Sequence, residues 1–192
     1  MFNSATIYIG NLFLFVLSLI VVFLLIRISY FRKLSETDRM TSLMNYHGMC
    51  RKIDQLRKHK IPFSLVIVDI DNFKIFNEHS YKLGDDVLKE FAGLIKNTFH
   101  EQALLSRFRI GDEFIIVFQN KNLNETKHEI DKFKEVCTNH HFKCLKDFSI
   151  HSINFSEGYS EYNATIDSIE KLFSEAEKLL KKNKSQKFPI YN

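Results

Sequence analysis

Twenty consecutive residues without a charge, Ile7 to Ile26 (IYIGNLFLFVLSLIVVFLLI), set the first constraint on the fold. At about 1.5 Å of rise per residue, a helix of this length matches a hydrocarbon core of about 30 Å. The run is apolar all round, with no polar face, so it does not read as a helix packed inside a soluble core. Nor has it the layout of a cleaved signal peptide, because MFNSAT ahead of it holds no Lys or Arg and RISYFRK comes directly after it. We therefore expect one transmembrane helix within residues 1–28. Arg27, Arg32 and Lys33 lie on its carboxyl side, which puts the remainder of the chain in the cytoplasm and the amino terminus outside. The six residues ahead of the run are expected to be too few for an external sensor.

What remains of the 192 residues is enough for one globular domain. Residues 29–37 read as a polar, helical juxtamembrane linker and residues 38–192 as the domain. The net charge of +4 fits a phosphate-bearing ligand or an anionic membrane surface, and is too small to argue for nucleic acid, which is not expected as a partner. Three cysteines, Cys50, Cys137 and Cys144, are an odd number with no CxxC, so no disulfide framework is implied and a reducing compartment is expected. Cys137, His140, His141 and Cys144 are all zinc-ligand types. They sit, however, where a helix end is expected to run straight into a strand, and adjacent histidines point in different directions. A helix C-terminus with His near its carbonyls is the preferred reading.

Along the domain, YHGMCRKIDQLRKHK predicts a helix ended near Pro62, and FSLVIVDID a buried strand that stops abruptly at Asp69. DDVLKEFAGLIKNTF carries Val87, Leu88, Phe91, Leu94 and Ile95 on one helical face. ALLSRFRI and FIIVF flank a hairpin, with Gly111-Asp112 expected as a two-residue type II′ turn. Asn122 and Glu125 offer a capping box for a helix whose Ile130, Phe133 and Val136 face inward. FKCLKDFSIHSINF reads as a strand. TIDSIEKLFSEAEKLLKKNK reads as a helix with Ile166, Ile169, Leu172, Phe173, Ala176 and Leu180 inward, and KFPIY as a short last strand. The order αβααββαβαβ predicts an α/β sandwich with helices on a central mixed sheet.

Two acidic groups stand out: Asp69 and Asp71 at the end of the first strand, and Asp112 and Glu113 at the hairpin tip. If that strand lies beside the hairpin, Asp69 and Asp112 can face each other. Carboxylates that close repel unless a divalent cation lies between them. Mg2+ takes one or two protein carboxylates and completes its shell with water and phosphate oxygens. The plainer alternative is that acidic residues merely end strands and favour turns. Lys74 and Asn77 are spaced to share a face of a short helix, and Asp85 is either the N-cap of the next helix or an acceptor for a base N–H pair.

The run DIDNFKIFNEHSYKLGDDVL and, after it, FRIGDEF resemble the GGDEF domain of diguanylate cyclases. DRMTSLMNYHG, with Asp38, Thr41, Leu43 and Asn45, is similar to that family's opening motif, and AEKLLKKNK to its late helix. The resemblance implies a palm-like nucleotidyl-cyclase fold and condensation of two GTP into cyclic di-GMP, with the site completed in a homodimer. It implies Asp69, Asp112 and the Ile70 carbonyl as ligands of Mg2+ or Mn2+. Asn77 and Asp85 would read guanine; Lys74 and Lys184 would hold phosphates. Phe73 and Gly111 would line the substrate, and Glu113 would lie near the attacking 3′-hydroxyl. The chain would then sit in the inner membrane by one helix, which would concentrate two copies or pair the domain with a membrane sensor.

The sequence also departs from the family pattern. Gly111 stands alone where the family has two glycines, and NEHSYKLGD is one residue short. Phe188 falls at the family's second phosphate cation, and Asn154 at a usual glycine. HEQALLS replaces the inhibitory Arg-x-x-Asp motif, so product inhibition there is not expected. A catalytically degenerate domain that binds GTP or a partner protein is the alternative reading.

Overall fold

The computed structural model describes residues 4–109, 111–148, 152–162 and 168–188. It divides into two compact units that meet between Glu36 and Thr37. The first is a single helix, α1 (Ser4–Glu36), whose stretch Asn11–Phe31 is long and apolar enough to cross a membrane. None of that stretch is covered by protein, and the Arg27 guanidinium lies over the Phe31 ring at 5.0 Å.

The second unit contains α2 (Tyr46–Lys58), β1 (Phe63–Ile70), α3 (Phe73–His79), α4 (Tyr81–Phe99), β2 (Leu104–Arg107) and β3 (Glu113–Gln119). After these come α5 (Leu123–Asn139), a 3-10 turn at Lys143–Leu145, β4 (Phe155–Tyr162) and α6 (Ile169–Lys187). The sheet order is β2-β3-β1-β4. Its eight-residue central strand β1 is wholly buried because it is covered on both faces. Val66, Val68 and Ile70 pack with Phe91, Phe133 and Phe155 toward α4 and α5. Phe63, Leu65 and Ile67 pack with Ile53 of α2 and Leu172, Phe173 and Ala176 of α6. The result is three layers, with helices on either side of one sheet.

Several expectations need correction. Among the described residues the four strands pair antiparallel throughout, so the sheet is not the mixed one expected; an isolated parallel bridge joins Met44 and Ser106. The reason is that β4 comes back antiparallel to β1 after the excursion beyond α5. Of the run FKCLKDFSIHSINF expected as a strand, Lys143–Leu145 is instead a 3-10 turn pinned by Glu90, which accepts from Lys143 N at 2.7 Å and Cys144 N at 2.9 Å. Only Phe155 of that run is in a strand among the described residues, and residues 149–151 lie outside them. The strand itself is FSEGYSEY, and it supplies its own glycine at Gly158, so Asn154 lies in the approach to it. A Cβ on Gly158 would stand 2.0 Å from the Ala176 carbonyl, so α6 can lie this close only over glycine.

Helix α4 starts four residues before Asp85, capped by Ser80 accepting from Leu83 N at 3.1 Å, so Asp85 is not its N-cap. On α5 the capping box of Asn122 and Glu125 is present, but Val136 is exposed and Cys137 takes the inward position. Cys137 is buried in the core, while His140 and Cys144 both turn to Glu90. Ile166 and most of KFPIY lie outside the described residues.

Candidate functional site

The site forms where β1 ends. Its alternation sends Asp69 to the α6 face, directly across from Glu113 on β3. Asp112 lies one residue outside β3, and its carbonyl accepts from Ile70 N at 3.3 Å. The cross-strand partner of Asp69 is thus Glu113, with Asp112 close enough to act on it electrostatically. Burial pushes the Asp69 carboxyl up to about 6, and Asp112 adds to this while Lys184 pulls the other way. Glu113 is likewise raised, by burial first and then by Asp69, Asp112 and Glu177. Glu177 comes from α6 and pairs with Arg109 at 3.5 Å.

Lys184 on α6 reaches Asp69 Oδ1 at 2.5 Å, close enough to pair but off the alignment of a hydrogen bond. One helical turn on, Lys187 pairs with Asp71. The other Asp71 oxygen accepts from the buried Ser156 hydroxyl at 2.6 Å, and Lys187 also donates to the Phe155 carbonyl at 3.2 Å. A cleft of about 370 Å3 lined by Asp71, Asn72, Lys184, Ser185 and Phe188 opens beside these pairs. A larger hollow of about 480 Å3 lies against Lys134, Glu157, Asn183 and Lys187 and lacks Asp69 and Asp112.

The hairpin differs from its expected form. Phe108 N donates to Glu113 O at 2.8 Å, so Arg109 to Asp112 make a four-residue loop, not a two-residue turn at Gly111-Asp112. Among the described residues of the loop, Arg109 has left-handed backbone, at φ 51°, and Gly111 does not. Its guanidinium lies 4.6 Å from the centre of the Phe108 ring, which offsets part of that strain. From below, the buried Arg107 holds the loop, donating from Nε to the Gly111 carbonyl at 2.9 Å. The Arg107 guanidinium also lies 3.6 Å from Asp38, whose carboxylate accepts from Thr41 N and Oγ1.

On the other flank, α3 lies against α4. A Cβ on Gly84 would stand 2.0 Å from Asn77 Oδ1 and 3.3 Å from Phe73 Cζ, so glycine admits both side chains next to Asp85. Lys74 is not brought to the aspartates; it is 86% exposed and pairs with Glu78 at 3.3 Å. Sequence reasoning missed Lys187, Ser156, Glu177 and Arg107. The three-residue spacing of Lys184 and Lys187 was a readable signal for the first of these; Ser156 carried none.

The model of the family described as "Diguanylate cyclase, GGDEF domain" matches residues 35–189. This chain belongs to the GGDEF family. Diguanylate cyclase DgcS of Shewanella oneidensis is 28% identical over 151 residues, covering 74% of this GGDEF chain and 47% of DgcS. Response regulator PleD of Caulobacter vibrioides is 26% identical over 150 residues, covering 76% and 33%. The chain thus spans less than half the length of these curated relatives. Among solved structures, the coiled coil and GGDEF domain of DgcB from Caulobacter crescentus, in complex with c-di-GMP, superposes with a TM-score of 0.72. That match covers 96% of each chain at 20% identity, and it shows the GGDEF fold.

The donor set also bears on a metal. Among the described residues no three carboxylate, imidazole or thiolate side chains converge on a ready-made cage. Two clustered carboxylates with a cation already against one of them fit a hard ion that brings water and phosphate oxygens of its own. That is the chemistry of Mg2+ and, in the same way, Mn2+.

Proposed function

We propose that this chain is a membrane-anchored diguanylate cyclase that condenses two GTP into cyclic di-GMP with release of two pyrophosphates. The observation that carries the reading is the meeting of Asp69, Asp112 and Glu113 at the end of β1, with Lys184 over them. Asp69, Asp112 and the Ile70 carbonyl would hold Mg2+ or Mn2+, which when bound neutralises phosphate charge and draws the reacting oxygens together.

Each of this chain's residues then has a task. Asn77, which Gly84 lets lie against α4 one residue before Asp85, donates to and accepts from the guanine edge and Asp85 accepts from it, with Phe73 packing beside Asn77. Lys184 and Lys74 meet the phosphates, for which Lys74 leaves Glu78. Gly111 presents bare backbone to them, because nothing lies within 4 Å of its missing side chain except Glu113 N at 4.0 Å. The 3′-hydroxyl oxygen of one GTP attacks the α-phosphorus of the other, and the bond to pyrophosphate breaks. Glu113 takes the hydroxyl proton, and burial beside Asp69 and Asp112, which raises its pKa, makes it a stronger base than an ordinary carboxylate.

One domain holds one GTP, so the active form is a homodimer of facing domains. Residues 1–28 span the inner membrane with the amino terminus outside, residues 29–37 link, and residues 38–192 work in the cytoplasm. The helix raises the local concentration of a second copy, or brings the domain to a membrane sensor.

The test is full-length protein in detergent micelles, incubated with GTP and Mg2+, with cyclic di-GMP read by mass spectrometry. Product that disappears in Asp69→Ala is expected. No product from folded, dimeric protein overturns the cyclase and leaves a GTP-binding or protein-binding regulatory domain.

A further inference from the structure

The two ion pairs between β1 and α6 form a ladder with unequal rungs. Asp69 lies on the α6 face of β1 and Asp71 just beyond the strand's end, where its pair with Lys187 brings it to the same helix; Lys184 and Lys187 are three apart on α6 and so share a face toward them. The rung of Asp71 and Lys187 is saturated, since Ser156 holds the second carboxylate oxygen and the Phe155 carbonyl takes a further donor from Lys187. The rung of Asp69 and Lys184 is not. Asp69 Oδ1 accepts no aligned hydrogen bond, no hydroxyl holds this carboxylate as Ser156 holds that of Asp71, and Asp69 has Asp112 and Glu113 at its side.

We propose that Lys184 is a built-in surrogate cation, which occupies Asp69 until a divalent ion and nucleotide phosphates arrive together, while Lys187 fixes the helix on which it swings. This rests on the cyclase reading above and deepens it. An ammonium and a divalent cation cannot both sit on one oxygen of Asp69. A metal arriving alone therefore has to expel Lys184 into solvent with no new partner. A metal arriving with nucleotide hands Lys184 a phosphate in exchange. Metal and nucleotide then bind with positive coupling, which linkage makes reciprocal. The fixed rung keeps the swing short, because the helix end stays put as the side chain changes partner.

The expected effect has a sign that a simple phosphate-binding role does not share. Removing the Lys184 charge weakens nucleotide binding but strengthens binding of the metal alone. Mn2+ uptake by the full-length chain in detergent, monitored by electron paramagnetic resonance without nucleotide, reads this directly. Lys184→Gln is expected to bind Mn2+ about three- to tenfold tighter than wild type, the modest gain suited to a part-exposed pair. Lys184→Arg should bind as wild type does. Adding a non-hydrolysable GTP analogue should tighten Mn2+ binding strongly in wild type and far less in Lys184→Gln. Lys187→Gln removes the same charge one turn away and controls for a general field effect. The proposal is overturned if Lys184→Gln is no tighter than wild type, or if Lys187→Gln tightens by the same factor. Mn2+ binding that persists in either of those cases leaves the cyclase reading standing. Absence of Mn2+ uptake from every variant, with and without nucleotide, sinks both.

Discussion

Arg107 donates from Nε to the carbonyl of Gly111 at 2.9 Å, and so a buried guanidinium grips the backbone one residue before Asp112. The same group reaches back to Asp38, tying the turn that opens the domain to the loop that carries a proposed metal ligand. Arg107→Met should lower the unfolding free energy by about 1–3 kcal/mol in urea titration. Product formation should fall by more than the lost folded fraction accounts for. Lysine has one compact ammonium in place of the planar fork, so Arg107→Lys should not restore either. Full rescue by lysine would mean that charge alone matters there.

Two glycines outside the hairpin make opposite predictions. At Gly158 an added Cβ meets backbone, Ala176 O at 2.0 Å and Leu180 N at 2.5 Å, and backbone cannot rotate away. Gly158→Ala should cost about 1–3 kcal/mol by forcing α6 off β4. Gly93, within α4, has nothing within 4 Å of its missing Cβ, so Gly93→Ala should raise stability by about 0.5–1 kcal/mol. Thermal unfolding of the pair checks both. Equal shifts would mean that α6 gives way more easily than its packing implies.

Gly111→Ala separates folding from phosphate approach. The backbone there is not left-handed and the space is open, so the melting temperature should stay within about 1 °C of wild type. Cyclic di-GMP synthesis should nevertheless fall by about tenfold or more, the scale of one lost charge-assisted contact. Unchanged synthesis would show that phosphates do not come near this backbone.

The Asp69 carboxyl stands at about 6 in the fold against 3.8 as an ordinary group, so the folded state binds its proton more tightly than the unfolded state does. Its contribution to metal-free stability is therefore full below about pH 4 and is lost as pH rises to about 6, on the order of 1–3 kcal/mol. Glu113, also raised, acts in the same direction. Asp69→Asn should flatten this part of the stability profile. The difference between wild type and Asp69→Asn, measured by chemical unfolding from pH 4 to 7, should therefore shrink or change sign. A difference independent of pH would place Asp69 in a wetter setting.

The sequence was most legible where one physical term dominated. Phe63 to Ile70 reads as a buried strand because both of its faces meet apolar layers, and the capping box at Asn122 is a local device that needs no tertiary partner. It was least legible at β4, where Ser156, Gly158 and Ser160 alternate with Phe155, Glu157 and Tyr159. Small residues there mark close approach by α6, and that helix, not the strand, fixes the requirement. The hairpin misled for a related reason: Gly111 looked like the turn-forming residue, yet Arg109 takes the left-handed conformation, held by Phe108 and Glu177. At the candidate site, Asp69 and Asp112 could be read from strand ends. Lys187 and Arg107 matter through partners more than sixty residues away in sequence, Asp71 and Asp38.

The central place of β1, laddered to β3 on one side and β4 on the other, bears on how such a protein can be regulated. Its amides should be among the slowest to exchange with deuterium, opening only with global unfolding. Asp69 is rooted in that strand and can be neither withdrawn nor offered by local motion. Any signal that reaches this domain must therefore work through what surrounds the strand end: the four-residue loop carrying Asp112, or the last turns of α6. One wall of the site is a fixed anvil, and adjustment is left to the other.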